Sequence, residues 1–119
     1  MFARTILFRL KADCLATLSV TVETQILPLL RRQNGFQEEI VFADSPGELV
    51  TIVSLWRDQR SAEACEASVY PEVLKLLGSL IVGTPEVRTS KVIHSSLRRR
   101  TPDTSGLMTE AAAPAVVAL

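Results

Sequence analysis

The chain has 119 residues, 47% of them hydrophobic, which is enough apolar material for one core and too little length for two ordinary domains. Thirteen basic residues balance thirteen acidic ones, so there is no net field to draw in a phosphate backbone or an anionic membrane surface, and nucleic acid is not an expected partner. No segment approaches the roughly 18 consecutive apolar residues of a spanning helix, and the start MFARTILFRLKADC is broken by Arg4, Arg9 and Lys11 where a secretory leader would be apolar.

A cytoplasmic protein without membrane contact is therefore predicted. Cys14 and Cys65 stand outside any CxxC or Cys/His spacing and are read as two reduced thiols, with neither a disulfide nor a metal site.

Residues Phe2 to Leu10, FARTILFRL, carry apolar side chains on both parities, as a strand covered on both faces would. After Asp13, a candidate N-cap, the residues Leu15, Leu18, Val22, Ile26, Leu29 and Leu30 recur at helical spacing, and Gly35 ends the run. Pro28 lies inside this helix, which predicts a kink or irregular turn near Thr24 and Gln25.

Two strands come next, QEEIVFAD and ELVTIVSLW, joined by Ser45-Pro46-Gly47 as a hairpin turn. Asp58 or Ser61 then caps a second helical region, divided near Val69 to Pro71 because the residue before proline is pushed out of helical geometry. Tyr70, Val73, Leu74, Leu77, Leu80 and Ile81 share one face of its second half, Gly83-Thr84-Pro85 is its stop, and EVRTSKVIHS alternates as a fourth strand.

The order βαββαβ predicts an α+β, ferredoxin-like domain over residues 1–96: a four-stranded antiparallel sheet with two helices on one face. Leu7, Val41, Ile52, Val53 and Ile93 spread apolar character over both parities, so the face away from the helices also needs a cover. A second copy of the chain is the simplest one, and a homodimer is predicted. Residues 97–119, LRRRTPDTSGLMTEAAAPAVVAL, lack periodicity and are read as a flexible C-terminal tail.

The run W-R-D-Q-R-S-A-E-A followed by Tyr70-Pro71, together with ILPLLRRQNGFQEEI at the passage from helix to strand, resembles the antibiotic biosynthesis monooxygenase type domain of the dimeric α/β-barrel superfamily. The resemblance covers residues 2 to about 95. It implies a barrel of two sheets packed face to face, with a pocket between sheet and helices in each subunit. It also implies chemistry without metal or flavin on a small, electron-rich aromatic or quinol-type molecule, with no cofactor.

Trp56 stands where the resemblance places a pocket tryptophan and, with Cys65, Arg4 and Ser54, is expected to border the substrate pocket; Tyr70, the single histidine His94 and the strand residue Arg88 are expected to handle proton and charge. Each has a plainer alternative. Trp56 would close the strand–helix junction, Cys65 would be a small buried hydrophobe, and His94 an exposed edge histidine. Arg4 and Arg88 would make ion pairs. Cys65 and Tyr70 stand where many relatives have histidines, and the first strand lacks an asparagine found in haem-degrading relatives, so haem degradation is disfavoured. No Ser, His and Asp combination supports hydrolysis, and adjacent Glu38 and Glu39 point to opposite faces of a strand, which argues against an acid/base pair between them. The competing function is a non-catalytic binding or interaction module.

Overall fold

Pro28 has no N–H to give the carbonyl of Thr24, and the chain answers with a wider turn. In the computed structural model, which describes residues 1–44 and 48–97, the first helical run is α1 (Leu15–Thr21), a π-helical turn over Val22–Ile26, and α2 (Leu27–Arg31). The irregularity therefore falls where the proline predicted it. Thr24 adds to it by donating its hydroxyl to the Val20 carbonyl at 2.7 Å, a contact that bends helices.

Around this run the order is β1 (Phe2–Leu10), β2 (Phe36–Ala43), β3 (Leu49–Trp56), α3 (Gln59–Ser68), α4 (Tyr70–Leu77) and β4 (Ile81–Lys91). The strands form one antiparallel sheet in the order β2-β3-β1-β4, the α+β ferredoxin-like arrangement. The Ser45-Pro46-Gly47 turn and residues 98–119 of the expected tail lie outside the described residues.

Local chemistry explains most boundaries. Asp58 caps α3 in extended geometry, its carboxylate accepting the Ser61 N–H at 2.9 Å; this backbone hydrogen bond holds the carboxyl below its ordinary range. Val69 breaks the second helical region and Pro71 sits in the first turn of α4. Gly35, at φ +87°, turns the chain from α2 into β2, and its carbonyl accepts the Arg57 N–H at 2.8 Å.

Three expectations are corrected. Asp13 is not the N-cap: it takes φ +61° in the turn after β1, a conformation that aspartate tolerates, and Cys14 holds the cap position without a side-chain hydrogen bond. Gly83-Thr84-Pro85 does not end a helix. α4 stops at Leu77, β4 begins at Ile81, and those three residues bulge opposite Phe8, where the register jumps from Leu7–Glu86 to Arg9–Val82. β4 is an edge strand, so Pro85 interrupts no inner ladder. Ile93, expected in the strand, lies past its end and is 89% exposed.

Ile6, Phe8 and Leu10 of β1 and Val50, Ile52 and Trp56 of β3 meet Leu18, Ile26, Val73 and Leu77 from the helices in one core. The opposite sheet face leaves Leu7, Ile40, Phe42, Leu49 and Val82 exposed.

Candidate functional site

In an antiparallel sheet, residues directly opposite share a face, so the register defines rungs running across the helix-covered side. One rung is aromatic: Phe36, Trp56 and Phe2, with the Phe36 and Trp56 rings edge to face at 5.5 Å. Another is aliphatic: Val41, Ile52, Ile6 and Val87. Between them runs a polar rung, Glu39–Ser54–Arg4–Thr89. Three of its four members are buried or half-buried beneath the helices, a costly arrangement for a core.

Arg4 and Ser54 anchor the packed end of this rung. Trp56, fully buried, donates its indole N–H to Ser54 Oγ at 2.9 Å. The Arg4 guanidinium, 2% exposed, lies 5.2 Å from the centroid of the Tyr70 ring and 3.1 Å from Glu66 Oε1. That carboxylate stands off the N–H directions: neither Nη of Arg4 has a hydrogen-bond acceptor among the described residues, although the ion-pair distance is short. Burial pushes the Tyr70 hydroxyl above its ordinary range, with Arg4 drawing it down and Glu66 up. Burial likewise raises the Cys65 thiol, with Arg4 lowering it and Glu66 raising it, so the thiol is held protonated and is not a poised nucleophile. Cys14 and Cys65 are both free.

The structure thus brings Arg4, Ser54, Trp56, Cys65 and Tyr70 together, as a packed cluster. A cavity of about 440 Å³ lies elsewhere, along β2 beneath the first helical run. Leu15, Leu18, Val22, Leu27 and Val41 supply apolar walls, and Ser19, Glu23 and Glu39 the polar groups. Its volume falls within the roughly 300–1,000 Å³ of small-molecule sites, which are likewise apolar with few polar groups.

Glu39 is the titratable group that the sequence offers only as half of a rejected pair with Glu38. It lies on the helix side of β2, opposite Ser54, whereas Glu38 pairs with Leu55 on the other side. Its Oε2 is buried without a hydrogen-bond partner among the described residues. Burial raises its pKa to about 7, against a smaller opposing pull from Arg31. The signal that could have found it is parity: a lone carboxylate two residues before Val41, on the parity that the helices cover.

Arg88 and His94 are not brought to this cluster. Arg88 pairs in register with Thr5 on the outer face, is exposed, and donates to Glu86 from Nε at 2.9 Å and from Nη2 at 2.7 Å. His94 lies exposed beyond the end of β4, which stops at Lys91. Among the described residues, no three His, Cys, Asp or Glu side chains are grouped so as to hold a metal ion, and no helix is long and apolar enough to cross a membrane.

No family model matches the sequence, nor does any curated protein. Solved structures do match. A monooxygenase of Streptomyces coelicolor, whose structure holds the ligand nanaomycin D, is 16% identical, with a TM-score of 0.68 over 82% of this chain and 92% of that one. SnoaB, a cofactor-independent oxygenase of Streptomyces nogalater, is 15% identical, with a TM-score of 0.64 over 82% of this chain and 97% of that one. A candidate antibiotic biosynthesis monooxygenase of Bordetella bronchiseptica is 17% identical, with a TM-score of 0.66 over 78% of this chain and 97% of that one. Together with the β2-β3-β1-β4 sheet and its helices, these likenesses establish that the chain has the fold of the antibiotic biosynthesis monooxygenase type domain.

Proposed function

We propose that this protein binds a small, mostly apolar aromatic molecule in the cavity beneath α1 and the π-turn, and oxygenates it with dioxygen and no cofactor. The observation that carries this reading is the cavity itself: about 440 Å³, mostly apolar-walled, with the half-buried Glu39 among its lining residues. Solved neighbours that include a cofactor-independent oxygenase and a ligand-bound monooxygenase support the same class.

For an anthrone-type substrate the balance is simple. A CH₂ becomes C=O, one oxygen atom of O₂ enters the product, and the other leaves as water with the two hydrogens removed. The substrate supplies every electron, so the protein has only to position it, take a proton and exclude water.

A homodimer belongs to this reading, because the exposed Leu7, Ile40, Phe42, Leu49 and Val82 form an apolar face that a second copy would cover. A cytoplasmic setting is consistent with two free cysteines. The completely buried Trp56 and the hydrogen-bonded Ser54 favour a second reading, a non-catalytic module that binds the ligand only.

The deciding experiment is mass spectrometry of ligands retained through purification, followed by oxygen uptake with anthrone and quinol-type compounds. Uptake that saturates with substrate, with quinone formed in equal amount, is the expected result. Binding without oxygen uptake would leave the non-catalytic module.

A further inference from the structure

The proposed chemistry needs a group that accepts a proton from the aromatic substrate, and neither Arg88 nor His94 lies under the helices to do so. Tyr70 lies against Arg4, and its raised hydroxyl makes it a poor base at neutral pH. Among the described residues lining the cavity, the titratable groups are Glu23 and Glu39. Glu23 is exposed on the π-turn and has water available; Glu39 Oε2 has neither water access nor a protein donor.

The register makes Glu39 more than an isolated carboxylate. Ser54 stands directly opposite on β3, and Arg4 directly opposite Ser54 on β1, so the Cα atoms of Glu39 and Arg4 lie on one rung about 10 Å apart, two inter-strand spacings. Below this rung lie Val41 and Ile52, and above it Phe36 and Trp56. Apolar rungs on both sides keep the local dielectric low, which strengthens any hydrogen bond made to Glu39.

We infer that Glu39 is the catalytic base of the cavity: its carboxylate, through the oxygen that is not buried, receives the hydroxyl proton of a hydroxyaromatic ligand whose ring lies against Leu18, Val22 and Val41. The proton transfer itself stands without the oxygenase reading; only the later reaction with dioxygen rests on that reading. In the transfer the ligand O–H bond breaks, an O–H bond forms on Glu39, and the electron pair stays on the ring oxygen. No electron leaves the ligand until dioxygen accepts it.

The charged groups acting on Glu39 are few. Arg31 at the end of α2 favours its ionised form; Glu23 on the π-turn lines the same cavity, Arg4 stands two strands away on the same rung, and β3 presents only the neutral Ser54. Burial outweighs them and places the carboxyl near pH 7, where a general base is most effective.

The test uses the full chain and a ligand that does not turn over. Calorimetric binding of 2-naphthol is expected to tighten about tenfold from about pH 6 to about pH 8, as the carboxylate that accepts its O–H becomes populated. In Glu39→Gln the affinity should be independent of pH over that interval. With anthrone as substrate, whose hydroxyl tautomer carries the O–H, Glu39→Gln should lose about a hundredfold or more in oxygen-uptake kcat, and Glu39→Asp should recover part of it. An unchanged pH dependence of naphthol binding in Glu39→Gln, unchanged turnover in that variant, or no naphthol binding by the wild type would each overturn the assignment. Glu39-linked naphthol binding without oxygen uptake by the wild type would end the oxygenase reading and leave the proton-accepting contact standing.

Discussion

Glu39 and Ser54 face each other across the β2–β3 ladder, yet only Ser54 is satisfied: its hydroxyl accepts the Trp56 indole N–H at 2.9 Å, while Glu39 Oε2 has no partner among the described residues. A carboxylate in this position is an electrostatic liability to the fold unless a ligand reaches it.

That liability sets a pH dependence of stability. The Glu39 pKa is raised from 4.5 to about 7 in the folded protein, so between those values the folded state holds the proton more firmly than the unfolded one. Its contribution to stability is full below the unfolded value, falls as pH rises, and is lost above about pH 7. The full shift would correspond to about 3 kcal/mol. Glu39 keeps some contact with solvent, and screening reduces the expected effect to about 1–2 kcal/mol. Urea unfolding followed by the fluorescence of the single tryptophan should show Glu39→Gln more stable than wild type at pH 8 by about that amount, and little different at pH 5. Equal stability differences at both pH values would place the raised pKa elsewhere.

Burial raises the titration of Tyr70, and Arg4 opposes it. The guanidinium over the ring draws the hydroxyl pKa down, while burial, the largest influence, and Glu66 push it up. Arg4→Met removes the lowering influence, so the tyrosine should titrate at still higher pH, and Glu66→Gln should move it the other way. Because Tyr70 is the only tyrosine, an ultraviolet titration reads this group alone. Arg4→Met should also keep its folding stability within about 1–2 kcal/mol, since a methionine fills the volume and the exposed Glu66 is left in water. A titration unmoved by either substitution would mean that the stacked geometry is absent in solution.

The element order is legible in the sequence because each signal is local. Pro28 announces the π-turn, Asp58 the cap of α3, and Pro71 the break at Val69. The cavity is not legible, since its walls come from α1, the π-turn, α2 and β2, and the space left between them depends on how the helices cross the sheet. Glu39 is set aside in the sequence, as half of a rejected pair, for a related reason. Parity separates it from Glu38, but which parity the helices cover is decided by β3, whose Val50, Ile52, Ser54 and Trp56 are the buried set. The edge strand β4 misleads because Gly83 and Pro85 carry the same signature in a bulge as at the end of a helix. Arg4, Ser54, Trp56, Cys65 and Tyr70 lie together in space, but what surrounds them is packing and not the described cavity.

Gly35 gives a test of the fold that is independent of ligand. At φ +87° it occupies the left-handed region, and an added Cβ would lie against the Ser61 side chain, 2.5 Å from its Cβ. Gly35→Ala therefore combines backbone strain with a clash at the first turn of α3, whose Ser61 N–H is already committed to the Asp58 cap. A loss of about 2–4 kcal/mol is expected in urea unfolding. The open position Gly83, also at positive φ but with nothing near an added Cβ, should lose only about 1 kcal/mol as Gly83→Ala. Equal losses at the two sites would show that strain alone decides both.

The proposed dimer would close on the outer face of the sheet. Ile40 on β2 pairs with Val53, and Phe42 on β2 and Leu7 on β1 flank Thr51 from either side, so the apolar patch crosses three strands with a threonine within it. Ile40 and Phe42 are 49% and 53% exposed, with little packing within the chain to lose. Ile40→Glu should therefore leave the monomer folded while placing two carboxylates in a symmetric interface, where their desolvation opposes association. Light scattering at micromolar concentration should give twice the chain mass for wild type and for the control Val20→Glu, which changes an exposed residue on α1, and the single-chain mass for Ile40→Glu. A monomeric wild type would show that the patch is covered by something other than a second copy.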